Sequence, residues 1–85
     1  HTPGHTPGSC CFYSEYFDVP MLFSGDTLFE RSIGRTDLPG GDYATLIRSI
    51  KNRLMNLPSE TLVYSGHGPS TTIGNEKQYN PFINS

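Results

Sequence analysis

Tryptophan is absent from this 85-residue sequence, cysteine occurs twice, histidine three times, and lysine and arginine together only six times. Each scarcity excludes something. Few basic residues and a formal net charge of -2 argue against a nucleic-acid groove, which needs a basic footprint to neutralise phosphates. No apolar run approaches the roughly 20 residues a membrane helix requires, so no membrane partner is expected. Cys10 and Cys11 are adjacent. On a strand they point to opposite faces, and their spacing suits neither a disulfide framework nor a CxxC site. A reducing compartment, the cytoplasm, is the expected setting. The chain begins with histidine rather than methionine or a basic-then-apolar leader, and an upstream segment is expected.

What is abundant is turn chemistry: nine glycines and seven prolines. They punctuate short apolar runs. CCFYSEYF reads as an aromatic-rich strand, and MLFS as a short buried strand stopped by Gly25. Pro39-Gly40-Gly41 marks a turn. Asp42 follows as a helix N-cap, and Leu46, Ile47, Ile50, Leu54 and Leu57 then form one apolar stripe over 42–57. Arg48, Lys51 and Arg53 fall largely off that stripe, and Pro58 closes the helix. TLVYS at 61–65 is a further strand, stopped by Gly66. A short helix begins near Thr71 or Thr72, favoured by Glu76, Lys77 and Gln78, and ends before Pro81. This order predicts one small α/β domain: a sheet covered on one face by the long helix, which is long enough to cross over between parallel strands. The other face needs a partner, either more polypeptide or a second copy.

Three metal-competent residues stand at strand boundaries. His5 precedes the first strand, Asp26 follows MLFSG, and His67 follows TLVYSG. Ligands gather at the carboxyl ends of strands in open sheets, and Gly25, Gly66 and Gly68 permit sharp turns there. Two imidazoles and a carboxylate suit zinc or iron. Each also has a plain structural alternative, as a loop cap or hydrogen-bonding group. Local spacing does not decide between these readings, because no pair has a zinc-finger-like interval. In GRTDLPGG, Arg35 and Asp37 read either as an ion pair fixing a turn or as a guanidinium at a cleft mouth attracting a substrate carboxylate.

The stretches TPGHTPGS, FSGDTLF, GRTDLPGG and SGHGPSTTIG, in that order, resemble the metallo-beta-lactamase-fold hydrolases, in particular the glyoxalase II-like and persulfide dioxygenase-like branches. The resemblance covers nearly all of residues 1–85 and corresponds to the C-terminal half of the αβ/βα sandwich, a small mixed sheet flanked by helices. The family's upstream His-x-His-x-Asp-His segment is not within these residues. The resemblance implies that His5 is the third histidine of a first metal site, that the catalytic carboxylate Asp26 bridges two metals, and that His67 is the terminal histidine of the second site. It leaves His1 as a structural residue. It also implies two zinc ions, a metal-bound hydroxide as nucleophile and a small-molecule substrate such as a hydroxyacyl-glutathione thioester. In the dioxygenase branch a single iron takes their place. GRTD after the Asp26 motif points away from beta-lactamase activity. The 85 residues alone are expected to be catalytically silent, since upstream ligands complete the site. The competing expectation is a non-catalytic assembly unit.

Overall fold

A computed structural model describes residues 1–15 and 19–84. Among the described residues six short strands, two α-helices and one π-helical turn form, the strands and α-helices in the order β1 (Phe12–Ser14), β2 (Met21–Gly25), β3 (Leu28–Phe29), β4 (Ser32–Ile33), α1 (Tyr43–Ser49), β5 (Leu62–Ser65), β6 (Thr71–Thr72) and α2 (Ile73–Tyr79). The main sheet runs β1-β2-β5-β6. Its central pair β2 and β5 is parallel and both outer pairs are antiparallel. α1 lies in the connection between the two parallel strands, as a parallel pair requires.

The helix begins where its cap is. The Asp42 carboxylate accepts from the Thr45 backbone N–H at 3.0 Å, and that bond holds the carboxyl pKa below its ordinary value. The helix is shorter and less uniform than its sequence stripe suggests. After Ser49 the backbone widens into a π-helical turn over Ile50–Leu54, with the Met55 N–H bonded to the Ile50 carbonyl at 3.0 Å. The stripe still packs: Leu46, Ile50 and Leu54 are buried with Leu22, Leu28, Val63 and Ile73 in one core. α2 is capped by Thr72, whose hydroxyl accepts from the Asn75 N–H.

Two expectations are revised. The first strand covers only Phe12–Ser14, and the expected continuation over Tyr16 and Phe17 lies outside the described residues. The GDTLFERSIG segment contains a β3–β4 hairpin that the sequence reading did not anticipate. Its two-residue loop, Glu30-Arg31, contains no glycine, and Arg31 itself takes the left-handed conformation at φ 58°.

The sheet is asymmetric. Leu22 and Val63 face the core. Phe12, Phe23 and Tyr64 sit side by side in register on the opposite face, all exposed, with the Phe23 and Tyr64 rings stacked at 5.8 Å. The sheet face expected to lack cover is therefore an aromatic row across three strands.

Candidate metal centre

The N-terminal HTPGHTPGS stretch is a closed loop pinned against the body of the protein. Thr2 is buried, and its N–H donates to the Ser9 carbonyl at 2.8 Å. The Asp42 N–H donates to the Gly4 carbonyl at 2.7 Å, and the Ser49 hydroxyl donates to the Pro3 carbonyl at 2.7 Å. Gly4, at φ +141°, lies so close to α1 that a Cβ would stand 2.3 Å from the Leu46 Cα. The repeat thus holds His5 in a fixed place. His1 does not share that place. Its Nε2–H donates to the Pro7 carbonyl at 2.9 Å, and it lines a second cleft with Arg48 and Arg53.

The other two donors come from the parallel strands. Gly25 pairs with Ser65 at the ends of β2 and β5, and the Gly66 N–H closes onto the Gly25 carbonyl at 2.7 Å. Both strands therefore stop side by side, and Asp26 and His67 project from their carboxyl ends. Gly25 turns at φ +53° and Gly68 at φ +91°. The Ser65 hydroxyl donates to the His67 carbonyl, tying that loop back.

The three side chains converge on one cavity of about 470 Å³. His5 Nε2 lies 3.9 Å from Asp26 Oδ2, and His67 Nδ1 lies 3.6 Å from Asp26 Oδ1. The two imidazoles thus face different oxygens of one carboxylate. His5 Nδ1–H donates to the Arg35 carbonyl at 2.8 Å. That bond fixes the tautomer and leaves the Nε2 lone pair facing the cavity, a common way of orienting a ligating imidazole. Among the described residues no hydrogen-bond donor is spent on the Asp26 carboxylate, which is half exposed. Two glycines pack against Asp26, one beside its carboxylate and one against its backbone. A Cβ at Gly66 would stand 2.9 Å from Asp26 Oδ1, and one at Gly34 would stand 1.9 Å from the Asp26 carbonyl oxygen.

Among the described residues no group of three or more His, Cys, Asp or Glu side chains forms a metal-holding cluster. The geometry explains this. Donors are arranged as two pairs sharing Asp26, not as a triad around one point.

Arg35 reaches the cavity but its fork is engaged: Nε and Nη2 each donate to Asp37 at 2.8 Å. The guanidinium holds the Asp37 carboxyl down at about 2, and Asp37 in turn raises the Arg35 pKa. The remaining wall comes from the hairpin and the residue after it: Phe29, Ser32, Ile33 and Gly34. Phe29 packs its ring on His67, with centroids 5.0 Å apart. Sequence reasoning did not single out these wall residues. The usable signal was Gly34, the glycine of SIGR, where two backbones approach.

The family described as Metallo-beta-lactamase superfamily matches residues 1–67. The chain is 51% identical over 85 residues to a Haemophilus influenzae protein named hydroxyacylglutathione hydrolase GloC, covering all of this chain and 39% of that protein. The solved structure of BLEG-1 B3 metallo-beta-lactamase superposes with a TM-score of 0.93 at 55% identity, covering 100% of this chain and 40% of the other. That of TTHA1623 in a di-iron-bound form gives a TM-score of 0.88 at 52% identity, covering 96% and 40%. The chain thus spans about two fifths of the length of the relatives it matches. The mixed sheet flanked by helices is the fold these structures share with it.

Proposed function

The chain belongs to the metallo-beta-lactamase superfamily, and on that premise we propose that it supplies part of the active site of a metal-dependent hydrolase of the glyoxalase II-like type. The observation that carries this reading is the Asp26 carboxylate, whose two oxygens face two different imidazoles and which no protein donor among the described residues occupies. In this reading Asp26 would help to hold two metal ions, one together with His5 and the other together with His67. Neutral imidazole nitrogens and carboxylate oxygens are customary zinc ligands. Bound ions of this kind lower the pKa of a water towards neutrality and polarise a carbonyl, which is the chemistry needed to cleave a thioester such as a hydroxyacyl-glutathione.

The chain's own residues prepare that site. The Arg35 carbonyl orients His5, the glycines at 34 and 66 pack closely against Asp26, and Phe29 holds the face of His67. Further ligands come from polypeptide outside these residues. In this reading the chain is the C-terminal part of the domain, and the remainder covers the Phe12–Phe23–Tyr64 row. The thioester substrate is supported by the 51% identity to a protein named hydroxyacylglutathione hydrolase. Iron is the second reading for the metal, favoured by the di-iron form of the structure at 52% identity. Cys10 and Cys11 are both free thiols, which fits a cytoplasmic setting.

Elemental analysis of the purified polypeptide that carries this chain tests the proposal. Near-stoichiometric zinc that disappears in Asp26→Asn, together with thiol release from a hydroxyacyl-glutathione thioester, is the expected result. Stoichiometric iron selects the second reading. A metal-free polypeptide that takes up neither ion on titration overturns both.

A further inference from the structure

Glu76 is the one carboxylate described here that is fully buried, and it lies on α2, outside the cavity. Burying an ionised carboxylate is costly unless its lone pairs are satisfied, and here they are. Oε1 accepts from the Arg31 backbone N–H at 2.7 Å and from Asn80 Nδ2 at 2.9 Å. Oε2 accepts from Arg31 Nη1 at 2.5 Å and from the Thr71 hydroxyl at 2.6 Å. Two of these four donors belong to Arg31, the residue that turns the β3–β4 hairpin at positive φ. Asn80 uses its Nδ2 a second time, donating to the Ser32 carbonyl at 3.1 Å. The Arg31 guanidinium also lies over the Tyr79 ring, 5.2 Å from its centroid.

The Arg31 contacts grip the hairpin at its tip from α2, the Asn80 bond to the Ser32 carbonyl holds it just beyond, and the Thr71 and Asn80 bonds to Glu76 hold the carboxylate itself in place. The same hairpin presents Phe29, Ser32 and Ile33 to the cavity, and Phe29 is the residue packed on His67. A left-handed conformation at a non-glycine residue is unfavourable by itself and persists where the surroundings enforce it. The carboxylate is placed to supply that enforcement, because it accepts from both the backbone N–H and the guanidinium of Arg31.

We propose that Glu76 is the positioning residue of the cavity wall: through Arg31 and Asn80 it locks the β3–β4 hairpin in the conformation that seats Phe29 against His67. The functional weight of this lock rests on the reading of His67 as part of a metal site. The lock itself is independent of any metal, and so is its test.

The test is the proton NOE between the Phe29 and His67 rings in the metal-free polypeptide, with the ring-current shift of the His67 protons as a second readout. Glu76→Gln keeps size and shape but turns one acceptor into a donor, so it faces at least one of the four donors with an N–H₂. The expected result is loss of the Phe29–His67 NOE and return of the His67 ring protons towards unstructured values, while the amide signals of Leu46 and Ile50 on the other side of the core stay in place. An unchanged NOE and unchanged shifts in folded Glu76→Gln overturn the proposal. If Glu76→Gln does not fold, Asn80→Ala decides the question. It removes the bonds of Nδ2 to Glu76 Oε1 and to the Ser32 carbonyl, one of the two arms of the lock, at a residue that does not line the cavity. A weakened NOE there supports the lock, and an unchanged one overturns it. Failure of the metal analysis leaves this NOE unaffected, so the two readings fail separately.

Discussion

Two carboxylates in this chain have the same chemistry and opposite surroundings. Glu76 is fully buried and accepts four hydrogen bonds. Asp26 is half exposed, sits between two imidazoles at 3.6 and 3.9 Å, and accepts none from the described residues. A carboxylate with every lone pair engaged has nothing left for a ligand and serves the fold. A carboxylate that accepts no hydrogen bond from the described residues, with Gly66 beside its Oδ1 and two imidazoles facing its oxygens, contributes little to the fold and is available to a cation. The pair separates stabilising from functional acids by their hydrogen-bond inventory.

The strongest way to break this contrast is to delete each acid. Glu76→Ala strands the Arg31, Thr71 and Asn80 donors, and breaking a buried pair in this way costs about 3–5 kcal/mol. The lower end is expected, because the Arg31 side chain is 41% exposed and water replaces part of what it loses. Even that is a large fraction of the roughly 5–15 kcal/mol that holds a domain together, and urea denaturation reads it directly. Next is Gly34→Ala, which puts a Cβ where the Asp26 carbonyl oxygen lies. Overpacking of this kind costs about 1–3 kcal/mol, and metal uptake falls with it. Asp26→Asn sharpens the contrast from the other side: the metal-free denaturation midpoint stays within about 0.5 kcal/mol of the parent, yet metal binding is lost.

The smallest effect concerns Asp37. Its folded pKa of about 2 lies below the 3.8 of the free carboxyl, so the Arg35 pair adds stability above pH 3.8 that fades as pH falls through about 2. Both partners are exposed, and exposed pairs contribute little. Thermal melts between those pH values are expected to show a shallower acid slope in Asp37→Asn than in the parent. An identical slope means that the pair in GRTD adds nothing to stability.

The legible parts of the fold were those where one residue type has one common job. Asp42 before an apolar stripe caps a helix, and it does so. Gly25 and Gly66 stop two strands, and the residues that follow them, Asp26 and His67, meet at the ends of a parallel pair. His5 lay in a loop whose Pro-Gly stiffening was visible, although its contact with the Arg35 carbonyl was not. What stayed hidden were features set by distant partners. Glu76 in IGNEKQY looks like any solvent-facing helix residue, and its burial depends on Arg31, 45 positions earlier. Arg31 carries no turn signal, and its positive φ goes with hydrogen bonds to Glu76 on α2 that the local sequence does not reveal. The change from α to π geometry after Ser49 leaves the apolar stripe intact, so periodicity does not report it.

The parallel pairing of β2 with β5 also has a consequence in time. Its register joins Met21 to Leu62 and Gly25 to Ser65, so about forty residues must be looped out before the pair closes. Contacts between residues far apart in sequence form slowly, because the chain loses loop entropy before it gains contacts. Asp26 and His67 lie just beyond that pair and meet only once it has zipped. The local pieces, such as the capped helix and the β3–β4 turn, can form without it. The candidate centre is therefore expected to be among the last features of the chain to assemble, and a cation bound between those two side chains would favour the closed pair.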